Sequence, residues 1–172
     1  STATSATISI AITDIDEFDV STPTDSDSTA DTVAENAADN TAVGVTGSAS
    51  DADGSTNTIT WTMTSGTTAC DDFFDIGSSD GIVRVDGTSE MDYETVTSCD
   101  ITLTATSADT STATSATISV AITDINDQAP SYSSSDATPN IDEGTTAVET
   151  LTVTDSDTGD VNACTLAGAD ST

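Results

Sequence analysis

The first fifteen residues, STATSATISIAITDI at Ser1–Ile15, return 110 positions later as STATSATISVAITDI at Ser111–Ile125, with Ile10 against Val120 as the single difference. A period of that length fits one small β-domain per repeat. The chain is therefore expected to hold the last strand and linker of one domain at 1–17, a whole domain at 18–127 and the start of a third at 128–172. The middle segment suffices for one core of roughly a hundred residues, and no more.

The pattern inside the repeat sets the class of fold. In Thr117–Thr123, Ile118, Val120 and Ile122 alternate with Thr117, Ser119, Ala121 and Thr123; Ile101, Leu103 and Ala105 alternate in the same way, as do Ile59, Trp61 and Met63. Period-2 alternation places one set on a core face and the other toward solvent. Threonine suits the outer positions because a β-branched side chain sits well on a pleated surface. Gly, Asp and Ser gather between these runs, at Asp51–Ser55, Gly77–Gly81 and Asp155–Asp160, as turn formers do. No amphipathic helix of any length interrupts the pattern. The expected architecture is all-β, a sandwich repeated in tandem.

Charge narrows what such an array can touch. Thirty-one acidic residues face a single basic one, Arg84, for a formal charge of -30 without any lysine or histidine. Such a surface repels phosphates, so nucleic acid is excluded as a partner and anionic lipid is a poor one. No run approaches the ~18 consecutive apolar residues of a membrane helix, so direct membrane insertion of this segment is not expected. An acidic chain with 3% aromatic residues also fits disorder, but its 34% apolar residues fall in strand-like runs. An ordered chain of this charge calls for cations.

The acidic residues concentrate at particular turns. Asp14-Ile-Asp16-Glu17 and Asp124-Ile-Asn126-Asp127 close the two copies of the repeated strand, while Asp51-Ala-Asp53 and Asp155-Ser-Asp157 lie near the start of the domains that follow. Glu35 and Glu143 belong to first strands, and Asp92-Tyr-Glu94 lies mid-domain. Carboxylates on alternate residues of an extended segment point to one side, where they can converge on a hard cation.

The order of the motifs adds a family resemblance. Val33-Ala-Glu35-Asn36, Ala49-Ser-Asp51-Ala-Asp53-Gly54, Phe74-Asp-Ile76 with Gly81-Ile82, Met91-Asp-Tyr-Glu94 and Asp124-Ile-Asn-Asp-Gln-Ala-Pro130 follow one another as they do in a cadherin repeat, which the central segment resembles. Ile141-Asp-Glu143-Gly144 and Asp155-Ser-Asp157 extend the likeness into the next repeat. The resemblance implies Greek-key, immunoglobulin-like sandwiches with Ca2+ bound between successive domains. It assigns to the later junction Glu35, Asp92, Glu94 and the linker Asp124 through Asp127, including Ile125 and Asn126, together with Asp155 and Asp157. The earlier junction would use Asp14, Asp16, Glu17, Asp51 and Asp53 in the same way.

Departures from the pattern are specific. The earlier linker has Asp16-Glu17 where the family has an Asn-Asp pair, and Ser107 stands where the family supplies an aspartate beside Asp51 and Asp53. Asp109, two residues on and on the same face, is the candidate substitute. Phe18–Thr32 is a long Ser/Thr/Asp-rich connection, read as an extra loop or a linker decoration. Cys70 and Cys99 lie in one domain and are expected to form a disulfide, consistent with an extracellular or cell-surface protein. Cys164 has no visible partner.

Catalysis finds little support, since general-base chemistry has no histidine and Schiff-base chemistry no lysine. Trp61 reads as a core residue and Arg84 as the partner of a nearby carboxylate. The function expected is that of a calcium-stiffened structural or adhesive array, like microbial stalks, adhesins or filaments, which associates with itself or with neighbouring repeats. The alternative is a calcium-organised spacer or carbohydrate-binding module of a larger secreted protein, binding a cell-surface protein or glycan.

Overall fold

The computed structural model describes residues 1–66, 68–134, 142–145 and 150–165. Nine strands of the central segment build a two-layer sandwich. One sheet contains β1 (Thr24–Asp25), β3 (Ala42–Ser48), β6 (Ile82–Val85) and β5 (Phe74–Ile76), in that spatial order. The other runs β2 (Thr32–Ala34), β9 (Ile118–Thr123), β7 (Ser98–Ser107) and β4 (Ile59–Ser65), with β8 (Thr112–Thr114) paired to β7. The chain crosses between sheets repeatedly, so neighbours in space are rarely neighbours in sequence. A hairpin of β10 (Ser131–Ser134) and β11 (Leu151–Thr154) follows.

The alternating residues meet between the sheets. Val43, Val45, Val83 and Val85 from one layer pack against Ile101, Leu103, Ala105, Val120 and Ile122 from the other, all of them buried. Each Val, Leu or Ile among them, once removed from water, is worth about 1.5–3 kcal/mol. Trp61 lies under the turns of the facing sheet. A Cβ at Gly47 would stand 2.6 Å from its ring, so glycine is required for that close approach. Outward, Thr60, Thr62 and Thr64 of β4 stand opposite Thr106, Thr104 and Thr102 of β7.

One expectation needs revision, and one segment stands outside the sandwich. Phe18–Thr32 is not an added loop: Val20 and Pro23 are buried, β1 pairs with β3, and the Asp25 Oδ1 accepts the Thr46 amide at 2.9 Å. Its polar composition hides two apolar anchors, enough for a short edge strand. Ser1–Ile15 forms no strand here, and Ile8, Ile10 and Ile12 are 83%, 84% and 94% exposed. The place that such a strand occupies, between β7 and β2, is filled by β9. Of the 128–172 segment, Ile141 lies outside the described residues; Glu143 sits exposed in a turn, not in a strand.

Candidate metal-binding junctions

β2 ends beside β9 in the one parallel pairing among the described residues, Ala34 opposite Thr123, and this register delivers Glu35 to the linker. Glu35 is 1% exposed. Its Oε1 accepts the Ile125 amide at 2.7 Å and its Oε2 accepts the Tyr93 amide at 2.6 Å. One carboxylate thus ties the Met91–Glu94 segment to the linker. Oxygens of Glu35, Asp92 and Glu94 lie within 4.8 Å of one another, and those of Glu94, Asp127 and Asp157 form a second such group.

The linker in turn is bound to the turn after β11. The Asp124 Oδ2 accepts the Thr158 amide at 2.6 Å, and the Asp157 Oδ2 accepts the Gln128 amide at 2.9 Å. Asn126 donates through Nδ2 to Asp160, whose carboxylate groups with those of Asp155 and Asp157. Asp157, 6% exposed, therefore belongs to two carboxylate triplets.

The earlier junction repeats much of this arrangement at the other end of the sandwich. Asp53 accepts the amides of Glu17 and Phe18 at 3.1 and 3.2 Å, as Asp157 accepts that of Gln128. The Asp14 Oδ2 accepts the amide and hydroxyl of Ser55 at 2.7 and 2.8 Å. Asp16, Asp53 and Asp109 bring oxygens within 4.8 Å of one another, so Asp109 does reach the place that Ser107 leaves without a carboxylate. Ser107 is buried and its hydroxyl donates to the Thr56 carbonyl at 2.9 Å.

Charge crowding is visible in the titration of these groups. Burial pushes the Asp157 carboxyl up, and the charges of Asp155, Asp124 and Asp127 add to it, against the opposing Gln128 amide. Burial likewise raises Glu94, reinforced by Glu35 and Asp157. Asp16 is pushed up to about 6 by desolvation first, then by Asp109 and Asp53. A bound divalent cation reverses that balance, because it favours the ionised form of each ligand.

The donor set fits such an ion. Asp51 Oδ2, Asp124 Oδ1, Asp155 Oδ2 and Asp157 Oδ1 are buried and have no hydrogen-bond partner among the described residues. Buried carboxylate oxygens left this way are costly. A hard cation taking about six to eight oxygens satisfies them, and Ca2+ is the ion whose flexible geometry tolerates mixed carboxylates and carbonyls.

Away from the junctions, Cys70 and Cys99 are bridged, with Cα atoms 5.8 Å apart, while Cys164 is an exposed free thiol. Arg84 pairs with Asp80 at 2.8 Å. Trp61 is buried in the core. Asp160 escaped the sequence reading, although its place three residues after Asp157 was a signal that a third carboxylate shares that turn.

No protein-family model matches the chain, and no curated protein matches it either. Solved structures do share its fold. Protocadherin Gamma B2 extracellular cadherin domains 1-5 superimpose with a TM-score of 0.66 at 21% identity, over 86% of this chain and 28% of that one. Domains 3-6 of the same protein give 0.63 at 23%, over 85% and 37%, and mouse cadherin-23 EC22-24 gives 0.61 at 22%, over 86% and 46%. The chain thus spans less than half the length of each. At these identities the likeness is one of fold, and the fold is cadherin-like.

Proposed function

We propose that this chain is a segment of an extracellular tandem array in which Ca2+ clamps successive cadherin-like sandwiches into a stiff structural or adhesive fibre. In this reading 1–17 is the closing strand and linker of a preceding repeat, 18–127 is a complete repeat and 128–172 opens the next. The observation that carries it is Asp157, buried, shared by two carboxylate triplets, and left with an unpartnered Oδ1. Glu35, Asp92 and Glu94 come from the upstream sandwich, Asp124 and Asp127 from the linker, and Asp155 and Asp157 from downstream. Without cations these carboxylates repel one another: at an effective dielectric near 20, two charges 4 Å apart cost about 4 kcal/mol before screening. When bound, Ca2+ supplies a shared positive centre that draws the three segments together. The reading assigns no catalytic role.

Self-association is the partner class the reading favours; one solved counterpart is a protocadherin gammaB7 EC3-6 cis-dimer. For the carbohydrate-binding alternative, Trp61 is buried, which leaves Tyr132, 77% exposed, as an aromatic side chain open to a sugar.

Calorimetric titration of the chain with CaCl2 should give dissociation constants on the order of 10⁻⁴–10⁻³ M or tighter, the range of extracellular modules. Asp124→Ala should remove part of that heat. Small-angle scattering should show a shorter, broader distance distribution after chelation, which added NaCl does not reverse, because screening supplies no coordination. Absence of calcium heat, or a profile indifferent to chelator, would sink the reading.

A further inference from the structure

The two linkers differ in charge at their third position, Asp16 in one and Asn126 in the other. Aligning Asp51 and Asp53 with Asp155 and Asp157 sets Thr56 against Asp160, so the difference there has the opposite sense. Each junction therefore keeps one carboxylate across the two positions. The earlier junction carries it in the linker, and the later one in the downstream turn.

The geometry follows the exchange. Asp16 joins Asp53 and Asp109, and Thr56 turns its hydroxyl to the Ser55 carbonyl at 2.7 Å. In the later junction it is Asp160 that joins Asp155 and Asp157, held there by the Asn126 amide on its Oδ2. That triplet surrounds two oxygens with no partner among the described residues, Asp155 Oδ2 and the nine-tenths-buried Asp157 Oδ1. A hydrogen-bond donor has not been provided for them, so a cation is the partner their position calls for.

We infer that Asp160 is a cation ligand, replacing in the downstream turn the carboxylate that the linker lacks at Asn126. The inference rests on the calcium reading above and adds a residue to it. Its consequence is a difference in kind between sites of one junction. Asp155, Asp157 and Asp160 lie on a single six-residue turn, which Gly159 closes with a φ of 88°. Glu94, Asp127 and Asp157 come from three separate segments. The first site holds its ion locally; the second requires linker and upstream sandwich to be in place.

Calorimetric CaCl2 titration of the whole 172-residue chain tests this. Asp160→Asn keeps an acceptor for Asn126 but removes the charge, and should weaken one ion by about tenfold or more, since affinity follows ligand charge. Adding Asn126→Asp to that variant returns a carboxylate to the linker, where Asp16 stands in the earlier junction, and should restore the ion. Far-ultraviolet circular dichroism identical to the parent shows that the variants fold. An Asp160→Asn isotherm like the parent's, with Asp124→Ala still losing heat, overturns the role of Asp160 and leaves the calcium reading standing. Loss in Asp160→Asn without recovery in the double variant overturns the exchange. If neither single variant changes the isotherm, both readings fall.

Discussion

Ser1–Ile15 and Ser111–Ile125 differ at one residue, yet the first forms no strand and leaves its isoleucines in water, while the second forms β8 beside β7 and β9 between β7 and β2. Val120 and Ile122 are 0% and 3% exposed; Ile10 and Ile12, their counterparts, are almost fully exposed. The lesson is that an alternating pattern specifies a willingness to be a strand. The partner supplies the rest, here β7 on one side and β2 on the other.

The two copies should differ most in what their side chains contribute to the core. Ile122→Ala should cost about 2–5 kcal/mol through lost burial and a residual cavity, whereas Ile12→Ala should stay within about 0.5 kcal/mol. Urea denaturation of the two variants measures this. Hydrogen exchange should agree, with the Ile122 amide protected by its 2.9 Å bond to the Thr97 carbonyl and the Ile12 amide unprotected. Equal costs would mean that Ser1–Ile15 has found an equivalent slot.

A second asymmetry is covalent. Cys99 stands opposite Val120 in the β7–β9 pairing, so the staple to Cys70 anchors the neighbour of one copy alone. Replacing both cysteines with alanine should destabilise the sandwich by roughly 3–4 kcal/mol in the chain-entropy account, read as a lower urea midpoint. Retention of the parental midpoint would assign the sandwich's stability to its core alone.

The linkers that close the two copies sharpen the contrast with calcium. At a hundredfold excess over its dissociation constant, bound Ca2+ should add about 2.7 kcal/mol to the chain. Asp124→Ala should abolish the part that depends on the later junction, and Asp14→Ala should leave that part intact. If both variants respond alike, the junctions are not independent.

The smallest effect is in pH. Desolvation, Asp109 and Asp53 raise Asp16 from an ordinary 3.8 to about 6, so in chelator its contribution is fully present below 3.8 and is lost as pH rises through about 6. Asn126 has no charge to titrate. Stability in chelator should therefore fall between pH 4 and pH 7, and Asp16→Asn should flatten that slope. An unchanged slope would place the titration elsewhere in the crowded carboxylates.

Much of the site was legible because its signals are local. Asp51-Ala-Asp53 and Asp155-Ser-Asp157 announce paired carboxylates by spacing alone, and Asp109 was identifiable as the stand-in for Ser107 from period 2. Asp160 was missed because it lies beyond the matched motif and acts only beside Asn126, 34 residues earlier in the chain. The strand hidden in Phe18–Thr32 was missed for a related reason. Two anchors, Val20 and Pro23, are too few to register as a pattern, and β1 exists because β3 offers it an edge.

The β class, the faces of β4, β7 and β9, the cysteine pair and the places where carboxylates accumulate follow from the amino-acid order, because each depends on side-chain alternation or short-range spacing. It took the assembled fold to place β9 between β7 and β2, to join Tyr93 to Ile125 through Glu35, and to put Asp157 in two triplets at once. Those outcomes depend on groups distant in sequence arriving together. No local pattern encodes them, because the cost of closing those loops is met only when the whole core forms.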